Sequence, residues 1–151
     1  MTTIAWDGHT LAGDKRTSFG GLHATTTKVH RIAGCLVGAA GTSAQITEMH
    51  AWLANGRKPA DLPTAQRSAT DCCSVLVIEP DGRVLQFENS PYPLAIENKR
   101  WAIGSGRDFA MAAMHLGLDA RSAVEVAIAL DAGSGNGVDF LSLEPAQPEK
   151  V

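Results

Sequence analysis

The chain begins Met1-Thr2-Thr3. A side chain as small as that of Thr2 makes Met1 a substrate for methionine removal, and trimming exposes Thr2 as the first residue. An N-terminal threonine holds nucleophile and base in one residue: the hydroxyl attacks and the free α-amine accepts its proton. An unperturbed α-amine titrates near about 7.7–8.0, so it is partly neutral at physiological pH. A nearby cation lowers that value and enlarges the neutral fraction. Alone, Met-Thr is an ordinary beginning, and its weight depends on what the rest of the chain supplies.

Other chemistry finds little support. His9, His23, His30, His50 and His115 are dispersed, with no HxH or HxxxH pair. Cys35, Cys72 and Cys73 form no CxxC and no even-numbered disulfide framework. All three read as small, buried strand residues. The glycine-rich stretch 133–137 follows a helix and lacks a P-loop lysine. Gly104-Ser105-Gly106 opens a helix, a place where an anion can sit.

The elements around these residues are grouped. Strands are expected over Thr2–Trp6 and Thr10–Gly13, joined at Asp7-Gly8. Lys28–Ile32 and Cys35–Ala40 follow. Gly41-Thr42-Ser43 opens a helix with Ile46, Met49, His50 and Leu53 at helical spacing, ended by Asn55-Gly56. Residues 56–72 have room for a short helix near Thr64–Ala69. Strands Cys73–Glu79, Arg83–Phe87 and Trp101–Ile103 come next. Helices Arg107–Leu116 and Ala120–Leu130 follow, the second capped by Asp119 and turning Ala123, Val126, Ala127 and Leu130 inward. Val138–Leu143 is a last strand, and residues 144–151 read as a polar, frayed tail. Runs of strands and runs of helices, rather than strict alternation, predict an α+β fold of layered antiparallel sheets with helices outside.

At 151 residues with 44% hydrophobic and 19% charged residues, the chain is long and apolar enough for one domain, 1–151, with its own core. A net charge of −3 with scattered Lys and Arg argues against a nucleic-acid partner. No apolar run reaches a membrane span. The start lacks the pattern of a signal peptide, so the expected compartment is the cytoplasm.

Several stretches carry a family resemblance. Thr2-Thr3-Ile4-Ala5, Leu11-Ala12-Gly13-Asp14-Lys15-Arg16 and Thr27-Lys28-Val29-His30-Arg31-Ile32 resemble the start of proteasome β-type subunits, especially the bacterial HslV peptidase. So do Ala39-Ala40-Gly41-Thr42-Ser43-Ala44, Ala102-Ile103-Gly104-Ser105-Gly106 and Ala129-Leu130-Asp131-Ala132-Gly133-Ser134-Gly135. The family's order is kept over residues 2–140. The resemblance implies a four-layer αββα sandwich, the N-terminal-nucleophile (Ntn) hydrolase fold, here in a compact form with a shortened second helix.

The resemblance also implies roles. Thr2 matches the nucleophile, Lys28 the lysine that lowers the pKa around it, and Asp14 the acid that holds the lysine. Gly41 matches the backbone N–H donor of the oxyanion hole. Ser105 matches the serine of the GSG turn beside the amine. Asp131 and Ser134 match an Asp-x-x-Ser pair that orients the amine. By position, Ser18, Thr26, Ala39 and Ser43 wall the substrate side-chain pocket, and their small size makes it roomy. Each residue also has a plainer reading: Asp14 as a turn residue, Lys28 as a solvated charge, Ser105 as a helix cap, Asp131 as a surface acid.

The implied activity is that of a threonine-type endopeptidase, hydrolysing peptides or unfolded proteins inside a homo-oligomeric ring, with an ATPase unfoldase as partner. Exposed apolar surface is expected around Ile46, Met49 and Leu53, and around Phe109, Ala113 and Leu116, where ring neighbours would meet. The chemistry needs no cofactor; relatives hold a monovalent or divalent cation near residues 133–139. The short 56–72 segment and the missing C-terminal extension bear on ring size and ATPase docking. Two other functions share such a fold: a non-catalytic assembly or binding subunit, and a hydrolase of small amides.

Overall fold

The computed structural model describes residues 1–143; residues 144–151, expected as a frayed tail, lie outside the described residues. The first hairpin pairs β1 (Thr3–Trp6) with β2 (Thr10–Asp14). Asp7 closes it by accepting from the backbone N–H groups of His9 and Thr10, an Asx turn of the kind that Asp-Gly sequences favour. β10 (Trp101–Gly104) adds to the free edge of β1 and β11 (Val138–Ser142) to that of β2. The result is a four-stranded antiparallel sheet in the order β10–β1–β2–β11.

A second sheet of five antiparallel strands runs β5 (Val29–Ile32), β6 (Cys35–Ala40), β7 (Ser74–Ile78), β8 (Val84–Phe87) and β9 (Leu94–Ile96). Alternation in the strands decides what each face meets. Ile4, Trp6, Leu11 and Ile103 from one sheet pack on Leu36, Leu76, Ile78 and Val84 from the other. The opposite face of the four-stranded sheet is paved with Ala5, Ala12 and Ala102. These small side chains admit α2 (Arg107–His115) and α3 (Ala120–Leu130) closely, through Ala110, Ala113, Ala120 and Ala123. The outer face of the five-stranded sheet carries Val37, Ala39, Val75, Val77 and Phe87, and it packs on α1 (Ser43–Ala54). The layers are therefore helix, sheet, sheet, helix, the expected αββα sandwich.

Ile4 sits at the centre of this stack. It lies opposite Gly13 in its own sheet and against Gly38 of the other. A Cβ at Gly38 would stand 2.6 Å from the Ile4 side chain, and one at Gly13 would stand 2.9 Å from it. Both glycines are thus the space that Ile4 occupies.

Residues 56–72 form only two 3-10 turns, Pro59–Asp61 and Thr64–Arg67. Gln66 compensates for the missing helix. Its fully buried amide donates to the carbonyl of Cys73 at 2.7 Å and accepts from the Cys73 N–H at 3.1 Å. Trp52 covers the same region, its indole N–H donating to the Lys58 carbonyl at 2.9 Å and its ring meeting Phe87 edge-on at 5.4 Å. Trp52→Ala is expected to cost about 3–5 kcal/mol, a cavity plus an orphaned carbonyl. Equilibrium denaturation measures it, and a loss under about 1 kcal/mol would contradict this packing.

Several expectations need correction. A two-stranded sheet, β3 (Arg16–Phe19) with β4 (Leu22–Thr25), fills a stretch to which the sequence reading assigned no element. The inward face of α3 is Ala120, Ala123, Val124 and Ala127, while Leu130 is 62% exposed. Met49 and Leu53 are spent on the core rather than on free surface, as is Ala113; of the residues expected at an interface, Phe109 and Leu116 are exposed. Cys72 is only part-buried, and both Cys72 and Cys73 precede β7.

Candidate active site

The start of β1, the end of β2 and the residue before β5 converge. Asp14 ends β2 with its carboxylate fully buried. Backbone N–H groups donate to it from Thr3 at 3.0 Å, Arg16 at 3.2 Å and Gly135 at 3.1 Å. Burying an anion is costly unless it is paired and hydrogen-bonded. Here three N–H donors and one ammonium meet it. The ammonium is that of Lys28, 3.0 Å and 3.2 Å from the two carboxylate oxygens. The same Nζ lies 3.2 Å from Thr2 Oγ1 and 3.1 Å from the Met1 carbonyl oxygen. Burial holds the Lys28 ammonium below its usual range, against the opposing pull of Asp14.

The other side of Thr2 is built by the turn after β10. Ser105 Oγ lies 3.1 Å from Thr2 N. Its hydroxyl is 2.7 Å from Asp131 Oδ2, which also accepts from Ser134 Oγ at 2.7 Å. Burial pushes the Asp131 carboxyl up, but the Ser134 and Ser105 hydroxyls outweigh it and hold it below its ordinary value. The Thr2 carbonyl accepts from Gly106 N at 3.2 Å. Gly104 and Gly106 must both lack a Cβ, because the Thr2 carbonyl and the Thr3 hydroxyl stand where one would be.

Gly41 follows β6 and precedes Thr42, the N-cap of α1. Its φ is +143° and its missing Cβ faces Cys73, so both backbone and space require glycine. An oxygen beside Gly41 would also lie at the positive end of the α1 dipole. Gly41 shares with Thr2 and Lys28 the wall of a pocket of about 550 Å3. Ser18, Thr26, Ala39 and Ser43 all line this pocket. Every site residue expected from sequence therefore lies in one contiguous region: Thr2 with six others around it, and four in the pocket beside it.

Comparison with known proteins adds the fold. No protein-family model matches the chain, and no curated protein matches it. Solved structures do. BPH of Thiobacillus denitrificans, in complex with epoxomicin, superposes with a TM-score of 0.71 at 21% identity, covering 95% of this chain and 99% of that one. A second structure of the same BPH gives 0.68 at 20% identity, over 96% and 99%. Eukaryotic HslV from Trypanosoma brucei gives 0.69 at 23% identity, over 95% and 99%. The fold is that of HslV.

Within this HslV fold, sequence reading missed three features of the site. Thr3 is fully buried; its hydroxyl is 2.7 Å from Ser134 Oγ, which ties β1 to the 131–135 turn. Arg16 packs its guanidinium over Gly135, donating to Asn136 Oδ1 at 3.1 Å and to the Ala132 carbonyl at 3.3 Å. His30 and His50 meet edge to face in the pocket wall, ring centroids 4.9 Å apart. Alternation along β5 was the available signal for His30, since Val29 faces inward. His50 was read as part of the apolar stripe of α1.

Burial, then the nearby His30, pushes the His50 imidazole down to about 4. The ordinary value is about 6.5, so between these limits the unfolded chain binds a proton that the folded chain refuses. Stability therefore falls as pH drops from about 6.5 towards 4. Full burial would make this about 3 kcal/mol; partial exposure of the ring reduces it to about 1–2 kcal/mol. Urea titrations at pH 7 and pH 4.5 are expected to show this loss in the wild type and a smaller one in His50→Phe. Equal losses in both would contradict the assignment.

Among the described residues, no group of three or more His, Cys, Asp or Glu is placed to hold a metal ion. In the 133–139 segment, where a cation was expected, the carboxylate of Asp139 is paired with the Lys15 ammonium at 2.6 Å. Nor is any described helix long and apolar enough to cross a membrane.

Proposed function

We propose that the chain is an N-terminal threonine endopeptidase of the proteasome β and HslV type. The observation that carries this reading is the position of Lys28 Nζ, shared between the buried Asp14 carboxylate and Thr2 Oγ1. After Met1 is removed, the freed Thr2 amine lies beside Ser105. The amine takes the hydroxyl proton as Oγ1 attacks the peptide carbonyl carbon. The carbonyl oxygen becomes an oxyanion and accepts from the Gly41 N–H, a donor whose loss costs about 10²–10³ in rate elsewhere. The amine returns the proton to the leaving nitrogen, and the C–N bond breaks. Water then hydrolyses the Thr2 ester by the reverse path. Lys28 keeps a positive charge near the amine, which favours its neutral, basic form. Ser105, Asp131 and Ser134 orient the amine and carry its proton. No cofactor enters these steps.

Enclosure completes the reading. Phe109 and Leu116 on α2, with Phe19 and Leu22 on the β3–β4 hairpin, leave apolar side chains on the surface, consistent with a homo-oligomeric ring fed by an ATPase unfoldase. Closed symmetry is the default for such assemblies. Three free cysteines among the described residues suit a reducing cytoplasm.

The test has two steps. The intact mass of the protein made in a bacterial cytoplasm reports whether Met1 is lost, and fluorogenic peptides then report hydrolysis. A trimmed protein that cleaves no peptide would overturn the catalytic reading and leave an assembly subunit. Light scattering decides the ring: a particle near the 15.9 kDa chain mass that still hydrolyses would instead indicate a small-amide hydrolase.

A further inference from the structure

The pocket beside Thr2 has one sign of charge. Arg16, Lys28, His30 and His50 line it, and among the described residues no Asp or Glu does. The overall charge of the chain is −3, so this wall runs against the average. Lys28 is answered from behind by Asp14. Arg16 is not answered in the same way, because its guanidinium donates to two neutral oxygens, Asn136 Oδ1 and the Ala132 carbonyl.

The two histidines add a directed hydrogen-bonding group. His30 Nε2 lies 3.1 Å from the Thr27 carbonyl, and since a carbonyl only accepts, that nitrogen carries the proton. His50 Nε2 is buried and makes no hydrogen bond to any of the described residues. A buried polar group left unmatched costs about 1–3 kcal/mol, so native structures rarely leave one unless something else meets it. The ring is neutral near pH 7 because its titration is pushed down to about 4. A neutral imidazole carries one N–H, and the buried nitrogen is a donor when that proton sits on Nε2. Ala39, a small side chain, lines the same pocket.

We propose that His50 holds its proton on Nε2 and that this pocket selects a substrate side chain that ends in a carboxylate and has the length of glutamate. His50 donates to that carboxylate, after a small turn of its ring, and Arg16 supplies the field that receives it. The inference rests on the reading of Thr2 as the nucleophile. A lysine or arginine side chain meets Arg16 and Lys28 with no carboxylate on the wall to accept it. An apolar side chain fits but leaves His50 Nε2 unmatched. Like-charge exclusion and the unmatched polar group together set the order, since specificity is a difference of affinities.

The experiment compares three fluorogenic peptides that are identical except for Glu, Leu or Lys at the position before the cleaved bond. The expected kcat/KM for Glu exceeds that for Leu about tenfold and that for Lys about a hundredfold, the scale of a hydrogen bond to a charged group. His50→Phe keeps the ring's bulk and is expected to lower the Glu-to-Leu ratio about tenfold. Because the readout is a ratio, a partly unfolded preparation does not disturb it. Leu or Lys cleaved as well as Glu, or a ratio unmoved by His50→Phe, overturns the proposal. If no peptide is cleaved, the catalytic reading fails separately, and calorimetry decides the pocket. Acetylated, C-terminally amidated tripeptides ending in Glu, Leu or Lys are titrated into Thr2→Ala protein. About tenfold tighter binding of the Glu peptide supports the proposal, and equal binding overturns it.

Discussion

On the proposed function, Thr2→Ala is expected to abolish peptide hydrolysis and to leave the thermal melt nearly unchanged. In a serine protease, loss of the nucleophile costs on the order of 10⁶ in kcat, and a fall of at least 10³ is expected here. The structural cost is small for a visible reason. Among the described residues the Thr2 hydroxyl has one partner, Lys28 Nζ at 3.2 Å, and that ammonium keeps both Asp14 oxygens without it. The backbone of residue 2 is held independently, by Gly106 N on its carbonyl. A change of about 1 kcal/mol or less is expected, the net worth of one hydrogen bond. Peptide turnover and a calorimetric melt on the same preparation check both halves. Activity retained in Thr2→Ala would move the nucleophile elsewhere.

Lys28→Ala is expected to have the second-largest effect, a fall of about 10²–10⁴ in turnover at pH 7, the range of a general-base contribution. The sign in pH follows from the charge. A cation beside the Thr2 amine disfavours its protonated form, so removing the cation raises the amine pKa. The acid limb of the pH–rate profile, where the rate rises as the amine loses its proton, then moves to higher pH, and part of the lost rate returns there. A merely structural lysine would lower the rate at every pH without moving the limb, so an unmoved profile would falsify the electrostatic role. The substitution also leaves Asp14 buried. Removing one member of a buried ion pair typically costs about 3–5 kcal/mol. The three N–H donors that remain on Asp14 should keep the loss near the lower figure.

Legibility in the sequence followed the strength of local signals. β1, β2, β6 and β7 are apolar on both faces because each lies between two covered layers, and such runs stand out in a sequence. The β3–β4 hairpin does not. Its strands lie half in solvent, so Arg16–Phe19 and Leu22–Thr25 carry no apolar alternation, and Gly20-Gly21 was its main mark. β9 is a three-residue edge strand with Leu94 facing solvent, again without a pattern. On α3, hydrophobicity alone picked Leu130, but the face that meets the sheet is set by where alanines permit close approach. At the site, Thr2, Asp14, Lys28 and Gly41 were legible because their residue types match a known order. Thr3, Gln66 and the His30–His50 pair act through contacts between segments distant in sequence.

The packing of Ile4 has a mechanical consequence. Thr2 and Asp14 belong to one sheet, and Lys28 leads into the edge strand of the other. The gap that the lysine must bridge is therefore the thickness of the sandwich. Ile4 is the shim that sets this thickness, seated on Gly13 and Gly38 one or two residues from Thr2, from Asp14 and from the strand paired beside Lys28. A single methyl group added at Gly38 would touch no reacting atom. It would wedge the plates apart at their tightest point and lengthen the Lys28–Thr2 contact. On the reading of Thr2 as nucleophile, the core therefore sets the tolerance of the chemistry, and drift in the core is expected to read out as lost alignment of Lys28 and Thr2 before it reads out as unfolding.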